Sequence, residues 1–226
     1  MLKEIFEQPK AVADTLIGRL TDNGKIELDE LHMSEAEIKS LKKIVVIACG
    51  TAYHAGMIAK YVIEKWAKIS VEVEIASEYR YRDPIIDSST LVIAISQSGE
   101  TMDTLMAIRH AKAAGARVLA ICNTNSSTIP RESDAVLYTH AGPEIAVAST
   151  KALLTQIVAV DLIGLHLAQV RGELTDAQAQ QRLQRAMPRW KFIYPRLLDY
   201  SENLVPLIVE RHAAELSDQL LRLQGQ

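Results

Sequence analysis

The chain has 226 residues and the composition of a globular protein with a large aliphatic core. Hydrophobic residues make up 48% of it and aromatic residues only 5%, so Ala, Ile, Leu and Val must fill the interior, as they do in parallel sheets covered by helices. The formal net charge is −3 and no basic stripe is visible, which excludes the electrostatic footprint of a nucleic-acid-binding protein.

The sequence also indicates no membrane association. The opening residues are charged and amphipathic and do not resemble a signal peptide. The longest apolar stretch, 152–168, is interrupted by Thr155, Gln156, Asp161 and His166, which makes it too polar to span a bilayer. We therefore expect a cytoplasmic protein.

The predicted elements change character near residue 44. Before that point, residues 2–20 are predicted to form an amphipathic helix, and Ser34 followed by Glu37 resembles a capping box for a short helix. After it, apolar runs typical of buried strands alternate with helical patterns. The predicted strands are 44–48, 71–75, 91–95, 117–122 and 135–138, and the predicted helices are 52–67, 101–114 and 149–170.

This alternation predicts the fold class. Strands that alternate with helices form parallel sheets covered on both faces, so we expect an α/β protein with three α/β/α layers and a five-stranded, mostly parallel sheet. Residues 1–40 are predicted to be an N-terminal helical segment, residues 41–175 the α/β domain, and residues 176–226 a C-terminal helical extension with helices over 176–187 and 201–223.

The segment that carries chemistry follows the third predicted strand. Ser96, Ser98 and Thr101 supply three hydroxyls and Gln97 an amide within six residues, at the carboxyl end of a strand, where open parallel sheets bind ligands. The helix that begins here offers unpaired N–H groups and a partial positive charge. Gly99 allows a close approach of the backbone. A plain helix cap would need only one hydroxyl, so we predict an anion site.

Other phosphate and cofactor motifs are absent from the sequence. No G-x-x-x-x-G-K-[ST] pattern occurs, which excludes a Walker-type nucleotide loop. The turn after the first strand, residues 49–56, lacks the three-glycine spacing of a dinucleotide site. Cys49 and Cys122 are predicted to be reduced core thiols, and the histidines show no metal-ligand spacing. We predict neither a cofactor nor a metal.

Six segments in order resemble a known family. They are 48–53, 76–82, 96–104, 120–123, 131–134 and 144–152. They closely resemble the first sugar-isomerase (SIS) lobe of the glutamine–fructose-6-phosphate transaminases, which make glucosamine 6-phosphate. The opening Leu-Lys-Glu-Ile-Phe-Glu-Gln-Pro matches as well, so the likeness covers roughly residues 1–175. The resemblance implies the SIS fold.

The resemblance also implies a set of binding residues. The phosphate binders that match are Ser96, Gln97, Ser98 and Thr101. Thr51 matches a binder beside them, and Val147 matches a backbone contact to the sugar. Many members carry a serine where this chain has Ala52, so one side-chain contact is missing. Gly50, at the turn before Thr51, is a weaker candidate, as is Gly99.

Residues near the start of the last predicted helix have two interpretations each. Glu144 either reaches the sugar or is a solvated loop carboxylate. Ser149 is predicted to cap the helix, with ligand contact as the alternative. Lys151 is badly placed for the helix dipole; we interpret it as a surface lysine, with ligand contact as the alternative. His54, in the turn after the first predicted strand, is interpreted as a helix-surface histidine, with ligand contact as the alternative.

The resemblance implies a sugar-phosphate ligand, fructose 6-phosphate or glucosamine 6-phosphate. In the family, ammonia from a glutaminase domain reaches fructose 6-phosphate, and a second SIS lobe resembles the source of the catalytic groups. Neither part is found in this sequence. We therefore expect no catalytic residue among the candidates and no complete reaction by this chain alone.

Two other functions stay open, and so does the oligomeric state. A stand-alone phosphosugar sensor would need an attached partner domain. A small phosphosugar isomerase would need a general base, for which only Glu144 and His54 are candidates. We expect a homodimer, because the surface that a second lobe would cover is left open; a monomer covered by its own C-terminal helices is the alternative.

Overall fold

One parallel sheet organises the molecule. A computed structural model describes residues 1–146 and 148–185. The strands are β1 (Lys43–Ala48), β2 (Ser70–Ile75), β3 (Thr90–Ser96), β4 (Arg117–Cys122) and β5 (Ala135–Tyr138). They lie in the order β2-β1-β3-β4-β5, and every pairing is parallel. The predicted five-stranded sheet is confirmed, and it is parallel throughout rather than mostly parallel.

Eight α-helices and one 3₁₀ turn have complete bounds within the described residues. The helices are α1 (Leu2–Phe6), α2 (Gln8–Leu16), α3 (Glu35–Ser40), α4 (Thr51–Ala67), α5 (Ala76–Tyr81), α6 (Met102–Ala113), α7 (Thr128–Glu132) and α8 (Lys151–Val170), and the 3₁₀ turn is Asp29–Leu31. Residues 176–185 are also helical. The remainder of the predicted C-terminal extension, including the helix predicted over 201–223, lies outside the described residues.

The three central strands β1, β3 and β4 bury both of their faces, which explains their continuous apolar runs in the sequence, whereas β2 and β5 at the edges of the sheet are only partly buried. On β1, Ile44 and Val46 belong to the core cluster that contains α4 and α8. Val45 and Ile47 belong to the cluster on the opposite face, with α5, α6 and α7. The helices therefore lie on both sides of the sheet, and the predicted three-layer architecture is confirmed.

Helix α8 is more apolar than the other long helices, α2, α4 and α6. Within the described residues it is the only helix long and apolar enough to cross a membrane, and 72% of its apolar window is buried inside the fold. It packs against α4, α2 and α3. Gly164 allows the ring of Trp66 to approach, because a Cβ there would lie 3.2 Å from that ring. Packing inside the fold thus accounts for its apolar surface.

The prediction of one continuous N-terminal helix over residues 2–20 is wrong. The chain forms α1 and α2 with a break at Glu7, and α2 ends at Leu16. Pro9 lies in the first turn of α2, where its missing N–H costs nothing, whereas it would interrupt the hydrogen bonds of a continuous helix. The capping box at Ser34 and Glu37 is confirmed.

The N-terminal segment packs firmly on the sheet. The Arg19 side chain donates hydrogen bonds to the carbonyls of Thr15 and Tyr138 and to the Glu30 carboxylate, each at 2.7 or 2.8 Å. The Thr15 hydroxyl donates to the Thr139 carbonyl at 2.5 Å. These contacts attach α2 to the end of β5. The predicted boundaries at residues 40 and 175 stay predictions.

A histidine on α8 links stability to pH. Burial lowers the pKa of the His166 imidazole, although its contact with the Ile26 carbonyl, 2.9 Å from Nδ1, acts in the opposite direction. The unfolded chain therefore takes up a proton near the ordinary pKa of about 6.5, while the folded chain resists it. Folding stability should then fall as pH drops below that value.

We predict that His166→Gln reduces this pH dependence. The free energy of unfolding in urea should decrease from pH 7.5 to pH 5.5 in the unchanged protein and decrease less in the variant, since Gln does not titrate. His54→Gln, on the exposed surface of α4, is the control and should keep the full dependence. The same slope in all three proteins would contradict the assignment to His166.

Candidate functional site

The strand order creates a crevice at the carboxyl ends of two central strands, β1 and β3. β1 and β3 are neighbours, yet the chain leaves them for opposite faces, which is the switch point where open α/β sheets bind ligands. Ala48 pairs with Ile95, so both strands end at the same level. A pocket of about 220 Å³ lies between the segments that follow them.

Most of the predicted site residues meet in this pocket. Its lining includes Thr51, Ala52, Ser96, Gln97, Ser98, Thr101, Glu144 and Ser149. Gly50, Gly99 and Lys151 are not part of the lining. Val147 lies outside the described residues. The structure therefore brings eight of the candidates together in one pocket, and their contacts to a ligand stay predictions.

The hydroxyls of the loop 96–101 first shape the loop itself. The Ser96 hydroxyl accepts a hydrogen bond from the Gly99 N–H at 3.1 Å and lies 3.1 Å from the Thr101 hydroxyl. The Ser98 hydroxyl accepts from the Glu100 N–H at 3.2 Å. A hydroxyl that accepts a backbone N–H can still donate its own proton. Ser96 and Ser98 can therefore donate to an anion while they hold the loop.

Two long helices begin at the pocket without a side-chain cap. Gly50 occupies the N-cap position of α4 and Thr101 that of α6. At neither position does a side chain accept a hydrogen bond from the first N–H groups of the helix. The first N–H groups of both helices lack partners along their own helix, and their dipoles place partial positive charge there. No Lys or Arg belongs to the described lining. Backbone N–H groups, hydroxyls and the side-chain amide of Gln97 are thus the donors available to an anion.

Glu144 caps the third helix at the pocket. Its carboxylate accepts hydrogen bonds from the N–H groups of Thr150, at 2.8 Å, and Ala152, at 3.2 Å, and from the Ser149 hydroxyl at 3.0 Å. The interpretation of Glu144 as a solvated loop carboxylate is therefore wrong. Ser149, which was predicted to cap α8, accepts the Leu153 N–H at 3.1 Å, although the N-cap by backbone geometry is Thr150.

Lys151 is not a surface residue, which corrects the sequence interpretation. It is only 2% exposed and forms an ion pair with Glu7 at 2.5 Å. The hydrogen bond from Lys151 lowers the pKa of Glu7. The lysine is placed in the first turn of α8 because it attaches that turn to the N-terminal helices.

The N-terminal helices also hold the loop before α8. The Glu4 carboxylate accepts the N–H groups of Ile145, at 2.6 Å, and Ala146, at 3.2 Å. Burial raises the pKa of Glu4, but these hydrogen bonds outweigh it and the net pKa lies below the ordinary value. Glu4 thus fixes the segment that forms one wall of the pocket.

The comparisons with known proteins agree with this geometry. The sequence model of the SIS domain matches residues 37–165, more than half of the chain. The chain belongs to the SIS domain family.

Its relatives include proteins named glutamine–fructose-6-phosphate aminotransferase [isomerizing]. The one from Streptomyces coelicolor is 70% identical over 172 residues, which are 76% of this chain and 28% of that protein. The one from Mycobacterium leprae is 62% identical over 190 residues, 83% of this chain and 30% of that protein. The chain thus spans less than a third of these relatives. The family recognised from the six segments is confirmed.

A solved structure supports the same assignment. The C-terminal domain of glucosamine-fructose-6-phosphate aminotransferase from Francisella tularensis superposes with a TM-score of 0.80 and 43% sequence identity, over 89% of this chain and 57% of that one. The fold of this SIS domain is therefore shared with an aminotransferase domain.

Two residues that line the pocket, Cys49 and Gln156, were not predicted as site residues from the sequence. Cys49 was read as a core thiol, but it is half-buried and lines the pocket. Cys122 is a buried free thiol, and burial raises its pKa to about 12. Gln156 also lines the pocket. Its only signal was an isolated amide in the apolar run of α8, and that signal does not separate a binding residue from a buried one.

A second cleft, of about 340 Å³, lies at the amino ends of the strands. Arg117 lines it, but its guanidinium donates to the carbonyls of Leu31 and His32 and lies 3.6 Å from the Glu37 carboxylate. These contacts bind α3 and the 3₁₀ turn to β4. Ligands of open parallel sheets bind at the carboxyl ends of strands, so we assign this cleft a structural role.

Gly99 is required by the loop for two reasons. Its φ is +68°, which favours glycine. A Cβ at this position would lie 1.9 Å from the Ser127 hydroxyl oxygen, 2.8 Å from the Ser127 Cβ and 3.1 Å from Pro130. The Cα of Gly99 thus lies close to Ser127, and its predicted approach to a ligand stays a prediction.

We predict that Gly99→Ala costs clearly more stability than Gly115→Ala. Gly115 also has a positive φ, +87°, but a Cβ there meets nothing within 4 Å. It should lose only the conformational term of about 1–2 kcal/mol, whereas Gly99→Ala adds the collision with Ser127. Urea unfolding of both variants measures the difference. Equal losses would show that the packing against Ser127 does not constrain the loop.

Proposed function

We propose that this SIS domain binds the phosphate group of a hexose 6-phosphate, fructose 6-phosphate or glucosamine 6-phosphate, as part of a glucosamine-6-phosphate synthase. One observation carries the proposal. The first turns of α4 and α6, which lack a side-chain cap, and the hydroxyls of the loop 96–101 lie at the same pocket. The names of the relatives supply the sugar. Together they support a site for a phosphorylated hexose.

The distribution of charge around the pocket favours an oriented ligand. The partial positive charge of the α6 start lies beside the loop 96–101, whereas the Glu144 carboxylate occupies the start of α8, which packs on the other face of the sheet. A phosphate group is attracted to the former and repelled by the latter. The sugar ring is then directed toward the α8 wall, where uncharged hydroxyls meet no such repulsion.

The domain acts by binding and positioning. Glu144 is the only carboxylate in the described lining, and its two oxygens are engaged by backbone N–H groups and the Ser149 hydroxyl. His54 is exposed and is not part of the described lining. A phosphosugar isomerase needs a free general base at the sugar. We therefore propose that the groups that move protons in the reaction are not among these pocket residues.

We predict that the phosphate group dominates binding. Calorimetry should show clear binding of fructose 6-phosphate and far weaker binding of fructose. Ser98→Ala removes one donor to a charged group, worth roughly 1.5–3 kcal/mol, so the affinity should fall about ten- to a hundredfold. Ser40→Ala on α3, whose hydroxyl donates to the Glu37 carbonyl away from the pocket, should bind as the unchanged protein does. Equal affinity for fructose and its phosphate would overturn the proposal.

We also propose that the chain forms a homodimer through α4. Met57 and Tyr61 lie one turn apart on this helix and are 43% and 72% exposed. These two side chains supply apolar surface on α4 that an interface between two copies would bury.

The dimer can be tested by light scattering across a dilution series. We expect a mass twice that of one chain, which is 25.0 kDa, and a shift toward 25.0 kDa in Tyr61→Glu. Tyr81→Glu is the matched control, because Tyr81 is as exposed, at 79%, but belongs to α5 on the other face of the sheet. A constant mass near 25.0 kDa at high concentration would rule the dimer out.

A further inference from the structure

Gln156 has an environment that its position in α8 does not explain. It lies in the second turn of the helix, is 3% exposed, and lines the pocket between β1 and β3. Its neighbours Thr155 and Ile157 are buried, and the Thr155 hydroxyl donates to the Ala152 carbonyl. Gln156 is therefore a polar side chain that a core helix presents to the site.

The Gln156 carboxamide is not satisfied by the protein. Its oxygen is buried and accepts no hydrogen bond from the described part of the chain. A buried amide oxygen without a donor costs free energy that a hydrogen bond would recover. Gln8, in the first turn of α2, is also buried with an unpaired amide, but it is not part of the described pocket lining. What distinguishes Gln156 is its place in the pocket.

We propose that Gln156 is a sugar-binding residue, whose side-chain oxygen accepts a hydrogen bond from a hydroxyl of the bound hexose phosphate. This inference rests on the proposed function. An amide oxygen only accepts, and the oxygens of a phosphate dianion also only accept, so its partner is a hydroxyl and not the phosphate. Because the loop 96–101 takes the phosphate, the α8 wall with Gln156 faces the sugar. The residue then contributes to the preference for a hexose phosphate over phosphate itself.

The test compares two ligands in one variant. Gln156→Met keeps the length and unbranched shape of the side chain and removes the amide. Calorimetry should show fructose 6-phosphate binding weakened about three- to tenfold, as for one neutral hydrogen bond, and inorganic phosphate binding unchanged. Gln8→Met, the matched loss of a buried unpaired amide, should bind both ligands as the unchanged protein does.

Each outcome is decisive. If Gln156→Met binds fructose 6-phosphate as tightly as the unchanged protein does, the inference is overturned. It is also overturned if the affinities for fructose 6-phosphate and inorganic phosphate fall equally, because that result would indicate damage to the pocket. Failure of the unchanged protein to bind fructose 6-phosphate overturns the proposed function itself. In the ¹⁵N-labelled unchanged protein, the Gln156 side-chain amide signal should shift with fructose 6-phosphate but not with inorganic phosphate; no shift with the sugar phosphate also overturns the inference.

Discussion

The carboxylate of Glu144 accepts hydrogen bonds from the first N–H groups of α8, and the character of the pocket depends on this contact. Three long helices begin around the pocket, and each would offer an anion its positive end. Glu144 satisfies one of them, so α4 and α6 are left as the two open starts. An anion is therefore attracted to these two starts and repelled from the start of α8. The fixed negative charge of Glu144 orients the ligand, and no lysine or arginine belongs to the described lining.

The contact at Glu144 is itself supported from a distant part of the chain. Glu4 holds the N–H groups of Ile145 and Ala146, and Glu7 pairs with Lys151. Glu4 in α1 and Glu7 at the break before α2 thus hold the chain at two points shortly after Glu144. The N-terminal segment is accordingly part of the site's support.

Much of the fold follows from local sequence, since fully buried strands leave long apolar runs. β4 and β5 have the predicted bounds, β1 and β2 begin one residue earlier than predicted, and β3 is one residue longer at each end. α5 and α7 were not predicted, because helices of five or six residues complete too few turns to show a 3.6-residue period. Pro9 was visible, but whether it begins one helix or interrupts another depends on packing against α8.

The candidate site was also only partly predictable from the local sequence. The loop 96–101 was predictable because its hydroxyls are adjacent in sequence and follow a strand. Lys151 was misread because its partner Glu7 lies 144 positions away. Glu144 was ambiguous because its carboxylate caps a helix from six residues upstream, outside the capping-box spacing. Gln156 was missed because only the tertiary arrangement places that side of α8 at the pocket.

A crystal structure with fructose 6-phosphate tests the central claim most directly. The account predicts the phosphate within hydrogen-bond distance of the first N–H groups of α4 and α6 and of the hydroxyls of Ser96, Ser98 and Thr101, with no basic side chain in contact. A phosphate bound instead beside Arg117 in the cleft at the amino ends of the strands, or held at the start of α8 in place of Glu144, would contradict it.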